Sequence, residues 1–403
     1  MNILFLSRWF PHPADNGSKI RIVQLLAGLA RFHRVTLVSF TDNLQSSTDL
    51  RTVPGLDHIS EVYVSPWREF HPGSLRAMLG LLHPTPRSLL DTHSADMASL
   101  IRTTVSRHEF DLVIASQISM AAYRECFRDV PAVFEEIELG VYHDAISQAR
   151  GLKRLRPALT WFKIKRYISR LIRSYQLCTV VSERERDLFV RNFPDYAGAV
   201  EVVPNCIEMD QYHYNRAEPK PDQIVFSGSF KYRAKYDAML WFVGGVFPLI
   251  LERKPDVRLI ITGDHENLPL PGVTNVMLAG HVTDIKSLIS SSSVSVAPLR
   301  VGGGTRLKIL EAMALGTPVV ATSKGAEGLG VRNGENLVIA DTPQSFADGV
   351  LGILEDADRR RQITGNARRF VEENFNWNTK LPQFLQLIES AAQNRHNFER
   401  VFI

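Results

Sequence analysis

Residues 293–322 read Ser293-Val-Ser-Val-Ala-Pro-Leu-Arg-Val-Gly302-Gly-Gly-Thr305-Arg-Leu-Lys308-Ile-Leu-Glu311-Ala-Met-Ala-Leu-Gly316-Thr-Pro-Val-Val-Ala-Thr322. The alternating start predicts a strand that ends at Ala297. Gly302, Gly303 and Gly304 follow, then Thr305 as an N-cap and a helix to about Leu315. Gly316 closes that helix, and Pro318–Thr322 begins another strand. Glycines ahead of a helix let a ligand approach bare backbone N–H groups at the positive end of the helix dipole, which is an anion site. Arg306 and Lys308 fall in the predicted first turn, where positive charge opposes the dipole. Lys308 and Glu311 share a face at i,i+3 spacing, with the lysine N-terminal, the weaker order for a simple pair. The pattern makes sense if an anion lies beside the glycines, held by Arg306 and Lys308. Glu311, one turn deeper, is then free to accept hydrogen bonds from sugar hydroxyls. The alternative is a surface loop with a tolerated charge pattern.

Outward from this stretch, short β-branched runs alternate with helix-period segments. The strands expected are Asn2–Ser7, Arg34–Phe40, Asp111–Ala115, Ala132–Glu135 and Leu177–Ser182, then Gln223–Ser227, Val257–Thr262, Asn275–Leu278, Ser293–Ala297, Pro318–Thr322 and Asn336–Ile339. Ile20–Arg31 and Ala238–Glu252 have helical periodicity. This β-then-α alternation predicts an α/β chain with parallel sheets covered by helices on both faces. The pattern restarts after a polar passage holding Pro204, Pro219 and Pro221. The division predicted is a domain over 1–203, a linker over 204–222 and a second domain over 223–377. Together they form two doubly wound, Rossmann-like domains that face a cleft, with ligands at the strands' C-terminal ends.

Length agrees, since 403 residues make two domains of roughly 200. Three scattered cysteines, Cys126, Cys178 and Cys206, offer neither a disulfide framework nor metal-ligand spacing and read as reduced cytosolic thiols. No stretch approaches the ~20 uncharged apolar residues of a membrane span, and Arg8 interrupts the N-terminal apolar run too early for a signal peptide. A formal charge of +4 does not imply nucleic-acid binding. The expected location is cytoplasmic, with peripheral contact at the inner membrane face as an option. That option comes from residues 150–173. No acidic residue occurs between Asp144 and Glu183, whereas Arg150, Lys153, Arg154, Arg156, Lys163, Lys165, Arg166, Arg170 and Arg173 are interleaved with Leu155, Leu159, Trp161 and Phe162. This is a basic amphipathic stretch suited to an anionic membrane face, or equally a domain helix with a solvated basic rim.

The stretch quoted first resembles the retaining glycosyltransferases of the GT-B fold, family 4, in the branch that reads PLR-x-G-x-GTR-x-K-x-LEAMA-x-G-x-PVVAT. The resemblance implies that Glu311 binds the nucleotide's ribose. It also implies that Gly303, Gly304 and Thr305 line the diphosphate, with Gly303 standing where many relatives have a glutamate facing the donor sugar. Ile3–Arg21 is similar to the family's first strand and glycine loop, so Gly17 would let backbone approach the reacting phosphate. Phe226-Ser-Gly228-Ser-Phe230 resembles the second domain's opening strand and loop. Lys231, Arg233 and Lys235 are candidate phosphate contacts there, with a solvated loop as the equal alternative. Ala279-Gly-His281-Val282-Thr-Asp284 resembles the loop that reads the nucleobase, and Phe375-Asn-Trp377 precedes a last helix, about 378–394, that returns to the first domain.

The resemblance implies transfer from a nucleoside-diphosphate sugar to a glycan or lipid-linked acceptor, in cell-surface polysaccharide or glycolipid synthesis. Neither a metal nor a further cofactor is expected. Leaving-group charge would be stabilised by helix-terminal N–H groups, Arg306 and Lys308. Phe134-Glu-Glu-Ile-Glu138 supplies the nearest acids of the first domain. Glu138 would orient the sugar or deprotonate the acceptor, or would cap a helix. Rival readings are a nucleotide-sugar epimerase or hydrolase of the same architecture and a non-catalytic nucleotide-sugar-binding subunit. A nicotinamide-dependent oxidoreductase is disfavoured, because the first strand does not lead into G-x-G-x-x-G.

Overall fold

The computed structural model describes residues 1–14, 16–42, 56–213, 219–302 and 306–393. The chain divides into two compact units, Met1–Pro204 with Leu381–Ile403, and Asn205–Lys380.

In the first unit seven strands form one parallel sheet: β1 Asn2–Ser7, β2 Arg34–Thr41, β3 Glu61–Pro66, β4 Leu112–Ser116, β5 Ala132–Glu135, β6 Leu177–Val180 and β7 Val200–Val202. Their spatial order is β3-β2-β1-β4-β5-β6-β7, so the winding reverses between β1 and β4. The central strands carry apolar residues on both faces because helices cover both. Ile3, Leu4, Phe5 and Leu6 are all fully buried, each contributing roughly 1.5–3 kcal/mol of transfer free energy. The helix Gly17–Ala30 starts three residues earlier than its periodicity predicts, since the Asn16 side chain accepts Lys19 N–H at 3.1 Å and caps it. The closing helix, Trp377–Gln393, buries Leu381, Phe384, Ile388 and Ala391. Within the first unit, its Glu389 meets His33 at 3.6 Å.

The second unit holds a six-stranded parallel sheet of β8 Lys220–Ser227, β9 Arg258–Thr262, β10 Val276–Gly280, β11 Ser292–Ala297, β12 Val319–Ala321 and β13 Val338–Ile339. The order is β10-β9-β8-β11-β12-β13, which puts the reversal between β8 and β11. β8 takes in Lys220–Asp222, residues read from sequence as linker. The expected helix Ala238–Glu252 is three pieces: α-helix Arg233–Trp241, a π-turn Phe242–Val246, and α-helix Phe247–Arg253. Pro248 has no N–H to give the ladder, and Gly244-Gly245 just before it tolerates the widened turn. The run Arg233–Arg253 is long and apolar enough to cross a bilayer. Its Met239, Phe242, Val246, Phe247 and Ile250 are, however, packed in the second unit's own core.

Candidate functional site

In the second unit the chemistry gathers where the winding reverses. β8 ends at Ser227 and Gly228 follows. A Cβ at Gly228 would lie 2.6 Å from Lys235 Cδ, so the glycine is what lets the Lys235 stem lie across the strand end. β11 leads into Val301 and Gly302, whose φ of +97° belongs to glycine, and a Cβ there would lie 2.6 Å from the Tyr232 hydroxyl. Gly303, Gly304 and Thr305 lie outside the described residues. The helix begins at Leu307 and runs to Ala314, with Arg306 in the cap position and no side-chain cap bond. Arg306 thus precedes the first turn rather than lying within it. Its guanidinium, 8% exposed, donates from Nη2 to Gly302 O and Lys324 O, both at 3.0 Å. The charge expected to face an anion therefore also pins the glycine loop to the turn after β12. Left-handed Gly316, with φ of +81°, closes the helix and lets Thr317 N–H reach Ala312 O at 2.9 Å.

Lys308 Nζ lies 2.9 Å from Glu311 Oε2. Glu311 is nearly buried, and its Oε1 accepts the Tyr212 hydroxyl at 3.1 Å. Oε2 is buried with the Lys308 ion pair but without an aligned hydrogen bond. Tyr212 is itself held firmly. Its carbonyl accepts Arg368 Nη1 at 3.1 Å, and Lys286 Nζ sits 4.3 Å over its ring. Burial and then the Glu311 carboxylate push the phenol's pKa well up, so Tyr212 stays a donor. Lys235 has its pKa lowered, by burial first and then by the positive charge of Lys308, against the opposing pull of Glu311. Two lysines that repel one another beside a glycine-opened strand end make a cationic pocket.

Sequence reasoning did not single out Tyr212, and it favoured Lys231 over Lys235. Lys231 is exposed and its Nζ pairs with Asp264 at 2.9 Å and Glu266 at 3.8 Å. A signal for Lys235 was present: it is the basic residue seven positions after Gly228, on the helix Arg233–Trp241 that follows the loop. His281 and Val282 lie just past the C-terminal end of β10, in the turn before the helix Ile285–Ser290. His281 is exposed and Val282 half-buried.

In the first unit a second cluster occupies the C-terminal ends of β4 and β5, beside the reversal at β1. Gly17 opens the helix that carries Arg21. Arg21 Nε reaches Glu135 Oε1 at 2.6 Å, with both side chains buried, and Ser116 Oγ donates to Glu135 Oε2 at 2.6 Å. Glu136, with φ of +59°, turns the chain off β5 and accepts Gln117 Nε2 at 2.8 Å. Burial, and then the neighbouring Glu135 carboxylate, pushes Glu136 up to about 8. Glu138 is half-buried, and its pKa is raised by burial and then by Glu185. The capping alternative for Glu138 falls instead to Glu185, whose carboxylate accepts Leu139 N–H at 2.7 Å and Gly140 N–H at 3.0 Å. Glycine at 140 leaves room for this cap, since a Cβ would lie 2.3 Å from Glu185 Oε1 and displace the carboxylate. Among the described residues no three His, Cys, Asp or Glu side chains are placed to share a metal ion.

The profile described as Glycosyltransferase Family 4 matches residues 15–211, and that described as Glycosyl transferases group 1 matches 221–356. The chain belongs to family 4 of the GT-B glycosyltransferases. Its curated relatives include a phosphatidyl-myo-inositol mannosyltransferase of Mycobacterium tuberculosis, 31% identical over 213 residues, which is 48% of this chain and 54% of that protein. An uncharacterised 44.6 kDa protein in the cps region of Klebsiella pneumoniae is 25% identical over 41% of this chain and 46% of its own length. The chain thus spans about half the length of the curated relatives it matches. Among solved structures, Anabaena HepE in complex with UDP and glucose superposes with a TM-score of 0.66 at 18% identity, over 97% of this chain and 100% of that one. Sucrose-phosphate synthase from Thermosynechococcus elongatus gives 0.71 at 16% identity, over 97% and 99%. Both likenesses establish the GT-B fold.

Proposed function

We propose that this family 4 protein moves a hexose from a nucleoside-diphosphate sugar to a glycan or lipid-linked acceptor, retaining configuration at the anomeric carbon. The reading is carried by one observation: Lys235, Lys308 and Arg306 converge with Glu311 at the β8–β11 reversal, next to glycine backbone. A diphosphate placed there meets two lysine charges and the helix Leu307–Ala314 end-on. As the glycosidic bond breaks, negative charge grows on the leaving phosphate, and these groups stabilise it without proton transfer and without a metal. Glu311, already ordered by Tyr212, is suited to accept ribose hydroxyls. His281 and Val282 would edge the base. Lys231, tied to Asp264, is assigned a lesser role.

On the acceptor side Glu138, half-buried and with raised proton affinity, is the acid suited to take the acceptor's hydroxyl proton. The mannosyltransferase relative supports a lipid-linked acceptor, the HepE complex supports a uridine nucleotide, and the cps-region relative supports polysaccharide synthesis. A lipid-linked acceptor would place the protein at the cytoplasmic membrane face, with 150–173 as the contact. Thermal shift with UDP, GDP and ADP tests the donor half. One nucleotide should raise the midpoint clearly, and Lys308→Ala should remove most of that rise. No shift with any of the three would overturn the assignment.

A further inference from the structure

The first unit carries two surface segments with the same unusual composition. The five-residue helix Leu75–Leu79 and the loop after it expose Leu75, Met78, Leu79, Leu81 and Leu82, the last 95% exposed. The helix Leu155–Leu171 and the turn before it expose Leu152 at 86%, Leu155, Leu159 and Phe162 at 61%. These last four are spaced by three, four and three residues, so they form one stripe along the helix. The opposite face of the helix packs inward through Ile164 and Ile168. The two segments are fastened together. Lys163, beside Phe162, donates its Nζ to Gly80 O at 3.0 Å, to His83 O at 3.1 Å and to Leu81 O.

Charge makes the surface more specific. Residues 70–90 and 145–182 contain eleven Lys and Arg side chains and no Asp or Glu, and the chain's net +4 therefore leaves −7 for everything else. Of the four acids that flank these segments, Asp91 is buried against Ser74 and the His71 N–H, Asp144 is paired with Arg184 at 2.6 Å, and Glu183 meets Arg186 at 3.6 Å. Between the helices Gly140–Gln148 and Leu155–Leu171 lies an open pocket of about 550 Å³, lined by Tyr142, Ala145, Leu152 and Pro157 together with Lys153 and Arg156. Exposed leucines ringed by cations, with an apolar pocket opening among them, match an anionic bilayer: acyl chains below, phosphates at the rim.

We infer that residues 75–82 and the stripe Leu152–Phe162 form a single docking surface for anionic lipid bilayers, with the Leu81–Leu82 loop as its inserting tip. This deepens, and rests on, the reading of the acceptor as lipid-linked. It adds a second segment that the basic stretch 150–173 alone does not contain. Basic residues supply the long-range attraction, so binding falls with salt. The leucines supply the part that salt does not remove.

The test is flotation of the full chain with vesicles of about three-to-one phosphatidylcholine and phosphatidylglycerol, against phosphatidylcholine alone. The protein should float with the mixed vesicles and stay behind with the neutral ones. Leu81→Asp with Leu82→Asp, and separately Lys153→Glu with Arg156→Glu, should each weaken binding by about tenfold or more. All four side chains are exposed, so the thermal midpoint should hold and confirm folding. Equal flotation of both variants, no preference for the mixed vesicles, or assembly of the chain with itself through this face in place of vesicle binding would overturn the inference. The UDP-induced shift, measured on the same variants, separates the two claims. Its absence in the parent chain sinks the transferase reading while leaving vesicle binding standing, and the converse result sinks the docking surface alone.

Discussion

Lys308 has a partner and a task that compete. At 2.9 Å from Glu311 it is paired, yet it also pushes down the proton affinity of Lys235, so its charge is felt across the pocket. In the proposed reading a diphosphate would take over the lysine and free Glu311 Oε2. Because Lys308 itself is half-exposed, its removal opens Glu311 Oε2 to water, and Lys308→Ala should change unliganded stability by no more than about 1 kcal/mol. Nucleotide affinity should fall by tenfold or more, reflecting a charge-assisted bond of about 1.5–3 kcal/mol. Arg306→Ala should instead lower both, since the guanidinium also ties Gly302 to Lys324. Calorimetry of binding beside thermal melts separates these patterns. Tyr212→Phe keeps the ring under Lys286 and removes only the hydroxyl on Glu311. Its expected cost is about 1 kcal/mol of nucleotide binding, roughly fivefold in Kd. An unchanged Kd would show that Glu311 does not need the tyrosine.

Glu136 supplies a pH prediction at the same scale. Its folded-state value, about 8, lies above that of a free carboxyl, so the folded protein holds a proton that the unfolded chain releases. Its contribution is complete below the unfolded value, near 4.3, and is lost as pH rises through the window to about 8. Glu136→Gln keeps an acceptor for Gln117 and cannot ionise. Its melting temperature should decline less than that of the parent between those limits, and parallel curves would contradict the assignment.

At the scale of elements, the central strands were legible because burial on both faces leaves near-continuous apolar runs: β1 and β5 fall where expected to the residue. The edges were not. β3, Glu61–Pro66, alternates as a half-exposed strand and ends in proline, and β7 is three residues long. Neither gives a run long enough to stand out. Site legibility follows the same logic. Glycines and charges in one contiguous stretch, 301–311, announce an anion loop. Tyr212, Lys235 and Glu185 act across the chain, through pairings that no local pattern encodes. The Arg21–Glu135 pair, which joins the first helix to β5, is another such case. Removing one member leaves a buried charge, so Arg21→Met should cost about 3–5 kcal/mol of unfolding free energy, and adding Glu135→Leu should recover much of it. A cost near zero in chemical denaturation would show that the pair is not structural.

For the whole molecule, two parallel sheets each reverse their winding once, and each reversal collects polar side chains that the cores cannot use. The second unit's cluster is cationic and faces a glycine turn. The first unit's is acidic, with raised proton affinities, beside a surface that is basic and apolar. That division of charge suits the proposed transfer from an anionic donor to a hydroxyl acceptor. The most direct test follows nucleoside-diphosphate release from a panel of nucleotide sugars, with and without lipid and glycan acceptors. Release from one donor should depend on acceptor and fall sharply in Lys308→Ala. Release at the same rate without acceptor, or isomerisation of the donor sugar, would contradict the transferase reading.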